Sequence, residues 1–284
     1  MPLPTFVVAG AQKSATTWLY ECMNEHPQVA VPTIKELHFF CDPADCGKSR
    51  KDLGMDWYLS QFSDTSPYRA SGEFSIDYMY YPQVAGELHA FNPDMKVLFL
   101  LRDPVERAYS AYWMRRRNHP EFPPFTEFIR PDSEIVVRGY YHRQIQRFRE
   151  VFPDEQLLTL IYEDLAKDPF AFAAQAFAFI GVDAQFRPPS ATQLTGETKQ
   201  LNPVLSALLY RHAAKLLKFP PALWGWRNFK RVSGIKGRQA GSVAGPKYAT
   251  MCDDDRIRLH ALYREENQRL FDLLGRRIAD WQGG

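Results

Sequence analysis

The chain has 284 residues, 45% hydrophobic and 24% charged, which suits one substantial globular core and excludes a disordered or low-complexity chain. Its 35 basic and 33 acidic residues leave a formal charge of +2, so no global field for nucleic acid exists and any anion site is local. No apolar stretch reaches membrane-spanning length and the start, MPLPTFVVAG, lacks a basic leader; the chain reads as cytoplasmic, with a luminal domain freed of its anchor as the alternative.

The first predicted element is a buried strand, Phe6 to Ala9, running into GAQKSATTW and a helix from Thr16 to Glu25. A strand, a small-residue turn, a lysine and hydroxyls opening a helix form a phosphate cradle. A nucleotide-triphosphate loop needs glycine before the lysine, and Gln12 stands there. The segment Lys35-Glu36-Leu37-His38-Phe39-Phe40 then offers two candidate bases, Glu36 and His38. Cys22, Cys41, Cys46 and Cys252 have no paired zinc spacing and are expected as free thiols, a Cys41–Cys46 disulfide staying open. No metal-ligand cluster is visible and no metal is required.

Val97 to Leu101 predicts a second buried strand, followed by Arg102-Asp103-Pro104 and a helix from Val105 to Arg117, with Pro104 in its first turn. Arg102 leaves the sheet at its carboxyl end and Ser110 lies about two helical turns along. Where a magnesium-holding acid is expected, the acid follows a cation, which argues against a kinase. Arg107 is expected in a salt bridge along the helix. Leu157 to Tyr162 predicts a third strand, then a helix from Phe170 to Ile180 ended by Gly181. The last helix should run from about Asp253 to Arg277, its three leading aspartates complementing the helix dipole.

Repeated strand and helix imply an α/β fold: a single domain, 1–284, with a central parallel sheet flanked by helices and its ligand at the carboxyl ends of the strands. Substrate or lid loops are expected near 41–68, 115–138 and 215–248. Residues 223–231, LWGWRNFKR, read as lid, with a weak membrane-surface or acyl-chain contact as the alternative. Tyr58, Tyr78, Tyr80, Tyr81 and Arg138 are candidate acceptor walls, each with the core as its alternative.

Lys13 to Leu19 resembles the 5′-phosphosulfate loop of sulfotransferases that use 3′-phosphoadenosine 5′-phosphosulfate (PAPS), with Ala15 where glycine is usual. The resemblance implies a P-loop-like site in which Lys13, Ser14, Ala15, Thr16 and Thr17 hold the phosphosulfate. Trp18 is similar to an adenine-stacking tryptophan, a core aromatic being the alternative. Arg102 and Ser110 are implied to hold the 3′-phosphate, with Lys236, Gly237 and Arg238 closing over it and Tyr162 near the nucleotide.

Lys35 to Phe40 resembles the Lys-Glu-x-His-Phe-Phe segment of heparan sulfate 3-O-sulfotransferases, whose glutamate is the base. Gly72 to Ser75 opens a stretch similar to their Glu-Lys-Ser-Pro-x-Tyr segment, with Phe74 in place of the lysine. The resemblance implies sulfuryl transfer from PAPS to an acceptor hydroxyl on a carbohydrate, lipid-like alcohol or natural product. Glu36 is the implied base, His38 its competitor, and Lys13 the stabiliser of the leaving group. A P-loop-type small-molecule kinase and a non-catalytic nucleotide-binding module are the alternatives.

Overall fold

The structure is a computed structural model that describes residues 3–62, 67–119, 121–192 and 248–281, together with the paired backbone of 199–200 and 243–244. The chain divides into two compact units, Met1–Leu194 with Thr250–Gly284, and Thr195–Ala249. In the second, Lys199–Gln200 pairs antiparallel with Val243–Ala244.

The centre of the first unit is a five-stranded sheet of β1 (Phe6–Gly10), β2 (Val29–Ala30), β3 (Ala70–Phe74), β4 (Lys96–Leu101) and β5 (Leu157–Ile161), in the order β2-β3-β1-β4-β5. Every pairing is parallel. The α/β class expected from strand–helix alternation is the one observed. Because β1 has β3 on one side and β4 on the other, the chain reverses its direction of travel across the sheet there. The crevice beyond the carboxyl ends of β1 and β4 is thus a topological switch point, where such sheets bind ligands.

Period-two alternation sends the strand residues to two opposite cores. Phe6, Val8, Leu98 and Leu100 join Leu19, Met23, Phe172 and Phe177 on the face covered by α1 (Thr16–Glu25) and α8 (Pro169–Ile180). Val7, Ala9, Val97 and Phe99 join Tyr141, Phe148, Phe271 and Trp281 on the face covered by α6 (Tyr141–Arg149) and α9 (Asp253–Leu274). The remaining α-helices among the described residues are, in chain order, α2 (Gly54–Ser60), α3 (Val84–Phe91), α4 (Pro104–Asn118), α5 (Glu134–Val137) and α7 (Tyr162–Lys167). The last helix stops at Leu274, three residues before the expected end, because Gly275 takes a left-handed φ of 60° and caps it.

Two strands of this sheet are not predicted from the sequence, the two-residue β2 and β3, with residues Ala-Ser-Gly-Glu-Phe. Gly72 sits against β1 so closely that a Cβ there would lie 2.2 Å from the Phe6 carbonyl oxygen. The sheet therefore demands glycine at a point where apolar patterning would look for Val or Ile.

Arg107 departs from its expected surface role. It is fully buried and its guanidinium donates to the Ile135 carbonyl. The i,i+4 partner along α4 is instead Glu106, 3.8 Å from Arg102 and 2.7 Å from Arg256 of α9.

Candidate active site

The loop between β1 and α1 is shaped by two residues with positive φ, Lys13 at 70° and Ala15 at 62°. Ala15 is the N-cap of α1, has no side chain to cap with, and no acidic residue stands in the first turn. The first amides of α1 are left without a side-chain partner, which is how helix N-termini receive anions. Glycine is usual at that position because the left-handed region costs an L-residue about 1–2 kcal/mol. Ala15→Gly is expected to raise unfolding free energy by ~1 kcal/mol, read as a higher melting temperature in the ligand-free protein.

Lys13 is half-buried, Thr17 exposed, and Ser14 and Thr16 buried. The Ser14 hydroxyl has no hydrogen-bond partner despite being fully enclosed. Burial, followed by the charges of Arg117 and Arg102, pushes the Lys13 ammonium below the usual lysine range. Lys13 thus stands in a cationic pocket that an anion would relieve. Trp18 is turned away from this mouth: its ring meets Phe172 edge-on at 5.7 Å and its indole N–H donates to Ala191 O at 3.3 Å. It is buried, at 5% exposure.

Arg102 emerges beyond β4, its guanidinium 5.0 Å from the Tyr162 ring at the start of α7. Ser110 lies buried on α4. Lys236, Gly237, Arg238 and the 223–231 segment lie outside the described residues. Asp103 is the N-cap of α4, accepting from Val105 N at 2.9 Å, a structural duty that explains the acid after Arg102. Burial pushes its carboxyl up to about 7, opposed by the Val105 amide and reinforced by Glu106 and Glu163. A raised carboxyl favours the fold fully below its ordinary pKa of about 3.9 and loses that contribution as pH rises through 7. Asp103→Asn, which still caps, should be more stable than wild type at pH 8 by on the order of a few kcal/mol. Thermal melts at pH 4 and 8 check it, the gap closing at the acid end.

Glu36 and His38 lie on a loop, both with positive φ, 63° and 50°. Strain of this kind costs on the order of 1–3 kcal/mol per residue and needs an external clamp. Here the amides of Glu36, His38 and Phe40 donate to the Phe74 carbonyl (2.8 Å), Ser75 Oγ (3.0 Å) and the Tyr78 hydroxyl (3.3 Å). Glu73 fixes that clamp from beneath. It accepts from Ser75 Oγ at 2.6 Å and from Tyr58 and Tyr78 at 2.9 Å each. Burial raises the Glu73 carboxyl, against the pull of the three hydroxyls. Tyr58 and Tyr78 are therefore fully buried supports, not acceptor walls.

Lys35, which the sequence offers as a plain pairing partner of Glu36, makes that pair and also links the two halves of the site. Its ammonium lies 3.0 Å from Thr17 Oγ1 and 3.4 Å from Glu36 Oε1, joining the anion loop to the carboxylate. His38 Nε2 stands 3.6 Å from Glu36 and 3.8 Å from Asp77, both longer than hydrogen bonds. Burial raises the Glu36 carboxyl, but His38 and Lys35 together outweigh it and bring it down to about 2. Asp77 in turn pairs with Arg138 at 2.7 Å, and Arg138 stacks 4.0 Å from the Tyr80 ring. Tyr80, Tyr81, Tyr140, Arg143 and Arg147 line an open groove of about 1040 Å³.

All four cysteines are free. The expectation of no metal-ligand cluster fails in one place: His38, Cys41 and Cys46 bring a donor atom each to within 4.8 Å of one another. The loop folds back on itself there, which spacing between cysteines alone does not reveal. Among the described residues, no helix is long and apolar enough to cross a membrane.

An uncapped helix behind a cationic loop, with a carboxylate linked to it through Lys35, stands at the switch point of an α/β sheet and suits an anion. Residues 3–207 match the family model described as the sulfotransferase domain, and the chain belongs to that family. It is 27% identical over 305 residues to human bifunctional heparan sulfate N-deacetylase/N-sulfotransferase 3, aligning 98% of this chain with 31% of that protein. Human heparan sulfate glucosamine 3-O-sulfotransferase 5 is 27% identical over 179 residues, 59% of this chain and 50% of the relative. The chain spans less than a third of the length of the N-deacetylase/N-sulfotransferases it matches. A solved sulfotransferase from Alicyclobacillus acidocaldarius shares the fold, with a TM-score of 0.73 at 24% identity over 99% of this chain and 100% of that one. Sulfuryl transfer is the reaction class of the family.

Proposed function

We propose that the chain transfers a sulfuryl group from PAPS to a hydroxyl of a carbohydrate acceptor, with Glu36 as base and Lys13 stabilising the leaving group. The observation that carries this is Lys35, whose ammonium spans Thr17 of the anion loop and Glu36. It sets a carboxylate one side chain away from the group that holds the donor, the separation that in-line transfer needs.

The residues present fit the donor. Ser14 has a buried hydroxyl without a partner, the α1 amides are uncapped, and Lys13 is held in surroundings that favour an anion. Lys13, Ser14, Thr16 and Thr17 would hold the 5′-phosphosulfate, and Arg102, Ser110 and Tyr162 the 3′-phosphate end, with Lys236, Gly237 and Arg238 proposed to complete it. PAPS supplies the sulfuryl group when bound. Glu36 takes the proton of the attacking hydroxyl as the oxygen–sulfur bond forms. Lys13 meets the negative charge left on the departing phosphate oxygen, where preorganised charge is most effective. His38 stands between Glu36 and Asp77, and none of these roles calls on a metal.

The carbohydrate acceptor is supported by the groove of tyrosines and arginines that meets the base through Arg138, Asp77 and His38. The relatives' names, a heparan sulfate N-sulfotransferase and a heparan sulfate 3-O-sulfotransferase, agree with a carbohydrate, and the second with an oxygen acceptor. Calorimetry tests the donor: 3′-phosphoadenosine 5′-phosphate should bind far more tightly than ATP, without magnesium. Equal or magnesium-dependent ATP binding would instead favour the kinase alternative. Incubation with PAPS and a panel of glycans, phenols and alcohols, read by mass spectrometry, tests the acceptor.

A further inference from the structure

We propose that His38, Cys41 and Cys46 form a zinc site that clasps the loop immediately after the candidate base. The three donor atoms lie within 4.8 Å of one another, and their side chains are buried at 2%, 0% and 3% exposure. Tetrahedral zinc with one nitrogen and two sulfur ligands needs donor separations of about 3.5–3.8 Å, from bond lengths of about 2.0–2.3 Å. A contraction on the order of 1 Å closes the gap, and a water completes the tetrahedron.

His38 supplies the independent sign of a missing ligand. Neither ring nitrogen has a hydrogen-bond partner although the side chain is almost wholly enclosed. A buried imidazole in that state forfeits the hydration it had when unfolded, and a coordinated cation restores a partner. The carboxylates of Glu36 and Asp77 flank Nε2 at 3.6 and 3.8 Å, resembling the outer support given to metal-binding histidines. Charge also closes: two thiolates and a neutral imidazole balance a divalent cation among buried side chains. Thiolate donors select zinc over magnesium or calcium.

Zinc would tie the His38 end of the strained segment to Cys46 and so reinforce the clamp from Phe74, Ser75 and Tyr78 on the opposite side. Because His38 also flanks Glu36 at 3.6 Å, metal content and spectroscopy, not turnover, test the site, and their outcome is separate from the donor and acceptor assignments.

The test is metal content and spectroscopy of the whole chain. Protein from zinc-supplemented medium, purified without chelators, should carry about one zinc per chain by plasma mass spectrometry. Cobalt(II) replacement should give a thiolate charge-transfer band that Cys41→Ser and Cys46→Ser abolish and Cys252→Ser, at an exposed cysteine, retains. If the serine variants do not fold, wild-type protein decides alone. Zinc should protect Cys41 and Cys46 from alkylation, mapped by peptide mass spectrometry, while Cys252 reacts with or without it. Metal no higher than the buffer blank, a cobalt band indifferent to Cys41→Ser, or a native Cys41–Cys46 disulfide would each overturn the proposal.

Discussion

Replacing Glu36 by glutamine is expected to lower turnover by about 10²–10⁴-fold while leaving the affinity for 3′-phosphoadenosine 5′-phosphate unchanged. The amide keeps the shape and the contact with Lys35 but cannot take a proton. Both kcat and kcat/KM should fall together, the mark of an interaction made in the transition state. With its carboxyl brought down to about 2, Glu36 stays ionised throughout the range in which the protein is handled. The wild-type pH profile should therefore show no acid limb near the ordinary glutamate value of about 4.3. For the same reason Glu36 contributes to stability above that value and loses the contribution only as pH falls toward 2. So acidic a carboxylate is a weak proton acceptor in the resting enzyme. Survival of near wild-type turnover in Glu36→Gln would remove Glu36 as base and turn attention to His38.

Much of this site could be read from one sequence because its anion loop is local. β1, the loop and α1 are contiguous, and the Thr16–Glu25 helix has the bounds that its residues predict. The positions of Arg102 and Tyr162 were legible for a similar reason: each follows the carboxyl end of a five- or six-residue strand, β4 and β5, that lie side by side. The support of Glu36 was not legible. Its clamp comes from β3, whose Gly72 and Glu73 break the apolar run that marks a buried strand. Glu73 tolerates burial only because three hydroxyls from positions 58, 75 and 78 converge on it, a fact of tertiary structure. Lys35 is visible in the sequence as part of a motif, but its reach to Thr17 crosses from one loop to another. Trp18 shows the converse limit: the motif suggested a ligand contact, and the packing of Phe172 and Ala191 decided its surroundings.

Lys13→Ala should lower kcat by about 10²–10³-fold, the usual loss when a preorganised charge is removed from a developing anion. The sharper result concerns pH. Burial, Arg117 and Arg102 push the Lys13 ammonium below the ordinary lysine value of about 10.4, so the free enzyme should lose activity at a lower pH than an exposed lysine would dictate. A bound polyanion opposes all three causes and favours the charged form. The alkaline limb of kcat/KM, which reports the free enzyme, should consequently lie below that of kcat, which reports the complex. Lys13→Arg keeps a permanent charge at lower rate, because a planar fork replaces a compact ammonium. In that variant the alkaline limb should move up in both profiles. If it stays where it was, another group titrates there and Lys13 does not carry the leaving-group charge. If the two wild-type limbs coincide, bound donor does not reach Lys13 and the assignment of the loop fails with it.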